Sequence, residues 1–155
     1  MTDVLINLIH ILATVIWIGG AVYVHLILLP SLKLIDPQQS GKLQGIVAKR
    51  FSTTAWICVI LLLITGYLKT QPGLMFDISS DLGRMLAFKH LLVLLVIIVG
   101  LLIATRIVPA IRKLAPKPGE APSAEFLSYG KHLSFLAAVN LVLGLFIVVC
   151  ATLLR

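Results

Sequence analysis

The chain has 155 residues, of which 59% are hydrophobic and only 12% are charged, and its mean hydropathy is +1.08. Soluble domains carry about 25% charged residues, so a soluble globular domain is excluded because too few charges remain to solvate its surface. Disorder is excluded as well, since it requires low hydrophobicity and high charge. The net charge is +7, and we interpret this excess as a membrane-topology signal, with no nucleic-acid partner.

Four stretches without Asp, Glu, Lys or Arg are long enough to cross a bilayer, the third only with its flanks. They comprise residues 4–32, 51–68, 90–105 and 132–154. A hydrocarbon core about 30 Å thick needs about 20 helical residues, and backbone groups in lipid must be satisfied within the segment. We therefore predict an all-α integral membrane four-helix bundle, one domain over 1–155, with spans at about 4–30, 51–70, 82–109 and 124–154.

Helix ends are marked by proline, aspartate and serine. Pro30 is predicted to close the first span, and Asp36 with Pro37 to begin a short amphipathic segment that runs into the second. The second span is predicted to end at residues 71–73, and Asp81 to cap the third. A proline-rich loop at 115–122 precedes Ser123, the predicted cap of the fourth helix, with Glu125 in its first turn.

The basic residues sort to one side of the predicted bundle. Nine lie on the face of the loops between spans one and two and between spans three and four: Lys33, Lys42, Lys49, Arg50, Arg106, Arg112, Lys113, Lys117 and Lys131. The other face has four: Lys69, Arg84, Lys89 and Arg155. The positive-inside rule then places both termini on the outer side of a multi-pass protein of the inner (plasma) membrane.

The four histidines are the main chemical signal, because ionisable residues inside a membrane are costly and mark functional sites. His10 and His90 are predicted at one depth near the outer face. His25 and His132 are predicted at a second depth near the inner face. Each pair joins the first helix to another helix.

One stripe of the first helix is expected to face the bundle interior. At about 100° per residue, His10 and His25 lie within about 60° of each other and about 22 Å apart along the axis. Thr14 and Ala21 flank Trp17 on this stripe and leave room for a flat ligand, and Asn7 lies at its edge. Asn7 and Thr14 are the predicted hydrogen-bonding groups for the imidazoles.

Facing imidazoles in a helical bundle are suited to the axial positions of haem iron. We therefore predict one or two haem b groups bound by His10 with His90 and by His25 with His132. Cations for the propionates are available on the outer side, including Arg84, Lys89 and Lys69, and on the inner side, including Arg106, Lys131, Lys49 and Arg50. The alternatives are structural histidines, a non-haem metal and a proton relay. Cys58 and Cys150 match no metal-binding spacing, and we expect them to be small apolar residues inside helices.

Two segments carry a family resemblance. The first runs from His10 through Trp17-Ile-Gly-Gly20 to Pro30, and the second from Arg84 through Lys89-His90 to Arg106 and Pro109. Most of the chain resembles the CopD-like membrane family and the related four-helix protoporphyrinogen oxidases of HemJ type. The oxidase resemblance implies a haem b and functional roles for His10, Trp17 and Lys89. The CopD resemblance implies a link to copper handling.

The preferred interpretation is a membrane cytochrome b that transfers electrons within or across the membrane. Its expected partners are the lipid bilayer and a quinone or redox protein, and helix packing through glycines permits an oligomer. The first alternative is a protoporphyrinogen- or quinol-type membrane oxidase, a haem-dependent oxidoreductase with Lys89 and Trp17 as candidate catalytic residues. The second is a copper-handling membrane protein, although Cu(I) prefers clusters of Met and Cys that this sequence does not place within the spans.

Overall fold

The computed structural model describes residues 1–70, 73, 78–117 and 120–153, with backbone alone at 37 and 38. Within these residues the chain is helical and contains no strand. The elements are α1 (Thr2–Tyr23), a π-helical segment (Val24–Leu28), α2 (Leu29–Leu32), α3 (Pro37–Lys69), α4 (Asp81–Leu102), a second π-helical segment (Ile103–Ile107), α5 (Val108–Lys113) and α6 (Ala124–Leu153).

Four continuous helical stretches among the described residues are long and apolar enough to cross a membrane. They are Thr2–Leu32, Gln39–Lys69, Asp81–Lys113 and Ala124–Leu153, of 31, 31, 33 and 30 residues. Many large apolar side chains on them are exposed, including Leu26 at 70% and Phe135 at 66%. Such surfaces are stable in lipid and not in water. The prediction of an all-helical protein with four spans is confirmed.

The chain divides into two compact units, residues Met1–Met75 and Phe76–Arg155. The first unit is a hairpin in which α1 packs along α3. The second is a hairpin in which α4, with the π-helical segment and α5 that continue it, packs along α6. Each unit therefore buries its apolar residues between two long helices.

The prediction that Pro30 closes the first span is wrong, because the helix continues through it to Leu32. The π-helical segment directly before the proline widens the turn, and the amide of Leu29 donates to the carbonyl of Val24, five residues back. Proline lacks an N–H and its ring displaces the carbonyl four residues earlier, so a locally wider helix accommodates it. Backbone groups in lipid need internal partners, which favours a continued helix over a break.

The third span has the same construction around Pro109, where the amide of Val108 donates to the carbonyl of Ile103. The helix then runs to Lys113, four residues past the proline, where the sequence predicts an end near Pro109 or slightly beyond it.

The prediction for the cap of α4 is wrong by one residue. Ser80 has extended backbone dihedrals and its hydroxyl oxygen accepts from the Gly83 amide at 3.1 Å, whereas Asp81 is the first helical residue. Serine and aspartate both favour the capping position, and here the carboxylate lies instead in the first turn, where the helix dipole stabilises it.

Other helix ends agree with the sequence. The Asp36 carboxylate accepts from the Gln39 amide at 3.2 Å, and the Ser123 hydroxyl oxygen accepts from the Phe126 amide at 3.1 Å. The amphipathic segment and the second span form the single helix α3, which ends at Lys69. Gln71 and Pro72, predicted to end that span, lie outside the described residues. Cys58 and Cys150 are buried free thiols in α3 and α6, as predicted.

Candidate functional site

His10 lies between the two helices of the first unit, and its ring contacts α3. Its Nδ1 is 2.7 Å from the Thr65 Oγ1. Thr65 is 4% exposed, and its hydroxyl also donates to the Leu61 carbonyl at 2.6 Å. Gly66 lies beside the imidazole, and a Cβ there would lie 3.7 Å from the His10 Cε1, an ordinary van der Waals distance. The hairpin therefore places this ring against α3, within hydrogen-bonding distance of the Thr65 hydroxyl.

A second polar contact joins the same ends of α1 and α3. The Lys69 Nζ donates to the Asn7 Oδ1 at 2.7 Å. Asn7 precedes His10 by three residues and Lys69 follows Thr65 by four, so each helix presents its two residues on one face. The acceptor for the ammonium is a neutral amide, so this contact does not neutralise the charge. We call His10, Thr65, Asn7 and Lys69 the polar cluster.

His25 lies in the π-helical segment that follows α1. Its Nδ1 is 3.0 Å from the Ala21 carbonyl. Its Nε2 is inaccessible to solvent and has no hydrogen-bond partner among the described residues. The other such side-chain atom within the described ranges is the Asn140 Oδ1 in α6. Buried polar atoms are usually paired, so the unpartnered Nε2 makes His25 a candidate ligand residue.

The other two histidines belong to the second unit. His132 is exposed on α6; its Nδ1 is 2.9 Å from the Ser128 carbonyl, and its ring meets Tyr129 edge-on with centroids 6.4 Å apart. His90 is half-buried on α4. The predicted pairs, His10 with His90 and His25 with His132, each combine one residue from each unit and stay predictions.

The remaining predicted residues serve several local roles. The Thr14 hydroxyl donates to the backbone carbonyl of His10 at 2.8 Å, so it supports the helix backbone and not the ring. Arg84 pairs with Asp81 and also donates to the Ser79 carbonyl at 3.2 Å. Trp17 is buried, Lys89 is half-buried and Arg106 is exposed.

Thr65 is a partner of the His10 ring that was not predicted from the sequence. A signal for it exists, because Thr65 and Gly66 follow the apolar run 57–64 with a hydroxyl and a missing side chain. Pairing histidines with histidines gives the second span no site residue, because that span contains no histidine. The structure brings His10 together with Thr65, and Asn7 together with Lys69, within the first unit.

An apolar groove of about 320 Å³ also lies along the first hairpin. Its lining is Ile9, Leu12, Ala13, Ile16, Thr54, Ile57, Cys58 and Leu61. This groove offers no charged group to a ligand.

Within the described ranges, no three or more His, Cys, Asp or Glu side chains are grouped so that they could hold a metal ion.

The family comparison covers most of the chain. The family described as "Copper resistance protein D" (CopD) matches residues 45–154, which is 110 of the 155 residues. Comparison with curated proteins and with solved structures finds no match. The match covers most of the second span, the third and fourth spans and the connections between them, so it includes the resembling segment at 84–109 but not the one at 10–30. The chain is therefore a multi-pass membrane protein that belongs to the CopD family.

Proposed function

We propose that the chain is a membrane cytochrome b that binds haem b through the Nε2 atoms of its intramembrane histidines. The observation that carries this proposal is the common use of Nδ1. The Nδ1 atoms of His25 and His132 lie 3.0 and 2.9 Å from backbone carbonyls, which only accept hydrogen bonds. In the neutral imidazole the proton then lies on Nδ1, and Nε2 keeps the lone pair that a metal needs.

The donor chemistry of the histidines fits haem iron. The Nε2 of His25 has no partner among the described residues and would bind the iron once the neighbouring side chains that bury it move aside. A ligating histidine ordinarily donates its second ring nitrogen to a carbonyl or a hydroxyl, which is the arrangement found here.

The charge near His10 also favours an anionic ligand. Lys69 lies one helical turn from Thr65, about 6 Å along α3, and is bound to the neutral Asn7. Its positive charge would repel a copper ion bound at His10 and attract a porphyrin carboxylate. This observation supports haem over a bare cation at this position.

Haem, when bound, supplies one-electron chemistry, and the protein controls its potential through ligation and burial. The histidines would hold the iron, the cations near the helix ends would bind the propionates, and the apolar helix surfaces would exclude water. If two histidines held each iron, electron transfer to a quinone or a redox protein would be favoured over reaction with oxygen.

Visible spectroscopy tests this function directly. The protein is purified in mild detergent from a haem-replete host, and a pyridine haemochrome assay counts haem per chain. We expect one or two haems with sharp reduced α-bands, His10→Ala and His90→Ala removing one component and His25→Ala and His132→Ala the other. A colourless protein overturns the proposal, and loss of one shared component in His10→Ala and His25→Ala overturns the pairing.

Copper handling is the second candidate, and the family description supports it. Elemental analysis of the same purified sample separates the two. Copper at one or more equivalents without haem, together with copper-dependent uptake in cells that express the chain, establishes this candidate. Haem iron without copper excludes it.

We also propose that both termini lie outside and that the two basic connections face the cytoplasm, because nine of the 13 basic residues lie on that side. Single cysteines at residues 2 and 117, in a Cys58→Ala, Cys150→Ala background, test this with a membrane-impermeant thiol reagent. We expect Thr2→Cys to react in intact cells and Lys117→Cys only after permeabilisation. The reverse pattern inverts the topology.

A further inference from the structure

Thr65 is the polar residue that the hairpin of the first unit buries, at 4% exposure, and it lies against a histidine ring. Burying a hydroxyl in a membrane helix is costly unless its hydrogen bonds are satisfied. This hydroxyl has two hydrogen-bond partners, the ring of His10 and a backbone carbonyl of its own helix.

Only one of these two bonds has a fixed direction. The Leu61 carbonyl lies 2.6 Å from the Thr65 Oγ1 and has no proton to give, so a hydrogen bond between them requires the hydroxyl as donor. The bond with His10 runs in either direction, depending on the tautomer of the imidazole. Five other threonines bind the carbonyl four residues back in the same way: Thr14, Thr53, Thr54, Thr70 and Thr105. With its proton so used, Thr65 offers His10 only a lone pair.

The imidazole must then donate, which requires the proton on Nδ1. The branched side chain of threonine has few rotamers in a helix, so the position of its Oγ1 is well defined. Gly66 lies beside the ring, where a Cβ would make only ordinary van der Waals contact, so the selection of the tautomer is assigned to the hydrogen bond with Thr65.

We propose that Thr65 is a positioning residue that holds His10 in the Nδ1–H tautomer and directs its Nε2 lone pair for metal ligation. The tautomer is independent of any metal. The use of Nε2 as a ligand rests on the proposed function.

NMR of the metal-free full chain in detergent micelles tests the tautomer, with ¹⁵N-labelled histidine and long-range ¹H–¹⁵N correlations. His10→Gln identifies the His10 signals. In the wild type we expect Nδ1 protonated and Nε2 unprotonated. Thr65→Ser should keep this pattern, whereas Thr65→Val, of similar shape but without an acceptor, should give a mixture of tautomers. Thr53→Val is the matched control, since Thr53 has the same backbone bond on an exposed surface.

A wild-type His10 with its proton on Nε2 overturns the inference, and so does a Thr65→Val spectrum identical to that of the wild type. The wild-type spectrum decides the tautomer even if Thr65→Val does not fold.

Haem titration then tests the consequence. Loss of such a supporting hydrogen bond typically weakens metal binding about 10- to 100-fold, and we expect this of Thr65→Val but not of Thr65→Ser. If the wild type binds haem and Thr65→Val binds it equally well, the positioning role is wrong while the proposed function stands. If the wild type binds no haem, the proposed function fails, and the NMR result still decides the tautomer.

Discussion

The two units share one helical plan. In the first helix of each, an α-helix leads into a five-residue π-helical segment, Val24–Leu28 or Ile103–Ile107, and then into a short α-helix with a proline at its second position. Pro30 and Pro109 are 79 residues apart, as are the two π-helical segments. In each unit, a π-helical segment therefore accommodates a proline at the equivalent position of the first membrane-spanning helix.

The buried positions follow the same spacing. Ala13 and Trp17 are buried in the first unit, and Leu92 and Val96, each 79 residues later, are buried in the second. On the returning helix, Thr65 corresponds to Gly144, and both are buried. The two units thus place equivalent residues at their hairpin interfaces.

The polar cluster has no counterpart in the second unit. At the same spacing, His10 corresponds to Lys89, Asn7 to Leu86 and Lys69 to Val148. The second unit forms its hairpin with a glycine and two apolar residues at three of these four positions, so a hairpin of this plan forms without a polar cluster. If the cluster serves the proposed function, its loss should change ligand binding more than folding, and the following experiments test this.

The largest expected effect is on haem binding, which should be lost when His10 is replaced and kept when Lys89, the equivalent residue of the second unit, is replaced. His10→Leu should remove a haem component and lower affinity by more than about 100-fold, because an axial ligand is lost. Lys89→Leu should keep the bound haem, as measured by reduced-minus-oxidised spectra. If instead Lys89→Leu abolishes turnover of a porphyrin or quinol substrate with haem retained, the oxidase alternative is favoured. Haem loss in both variants would contradict the functional difference between the units.

Helix packing in the first unit depends on Gly20. A Cβ at Gly20 would lie 2.6 Å from the Phe51 ring, whereas a Cβ at Gly19 would meet nothing within 4 Å. Gly20→Ala should destabilise by about 1–3 kcal/mol, unless the ring moves aside. Gly19→Ala is the matched control and should be neutral or stabilising by up to about 1 kcal/mol. Denaturant unfolding in micelles measures both, and equal effects would contradict the close contact.

Replacing Lys69 tests the sign of the ligand's charge. Lys69→Gln should weaken haem binding by up to about 5-fold, because an exposed ion pair contributes at most about 1 kcal/mol. A copper ion at His10 should bind more tightly in the same variant, since the repulsion is removed. Titration with haem and with copper distinguishes the two, and Lys42→Gln, at an exposed position of α3 with no proposed role at the haem, controls for net charge.

The smallest effect is expected at Gly66. A Cβ there would lie 3.7 Å from the His10 ring, which is an ordinary van der Waals distance. Gly66→Ala should change neither the His10 tautomer nor haem affinity by more than about 2-fold. A large loss would mean that the ring needs more space than this contact indicates.

The sequence by itself determined the four spans, because apolar length and helical hydrogen bonding are properties of each segment alone. It also determined the caps at Asp36 and Ser123, since capping depends on residues three positions away. The rule that proline ends a helix was less reliable at Pro30, because it considers only the missing backbone amide of that residue. The backbone formed a π-helical segment instead, because a broken helix would leave polar groups unpaired in lipid.

Only the tertiary structure decided which side chain meets His10. Helical periodicity places His10 on one face of α1, but it determines neither the rotation nor the axial register of α3. Those depend on how the two surfaces interlock, including the fit of Phe51 against Gly20. The resulting register places Thr65 2.7 Å from the imidazole, a contact between residues 55 positions apart in sequence.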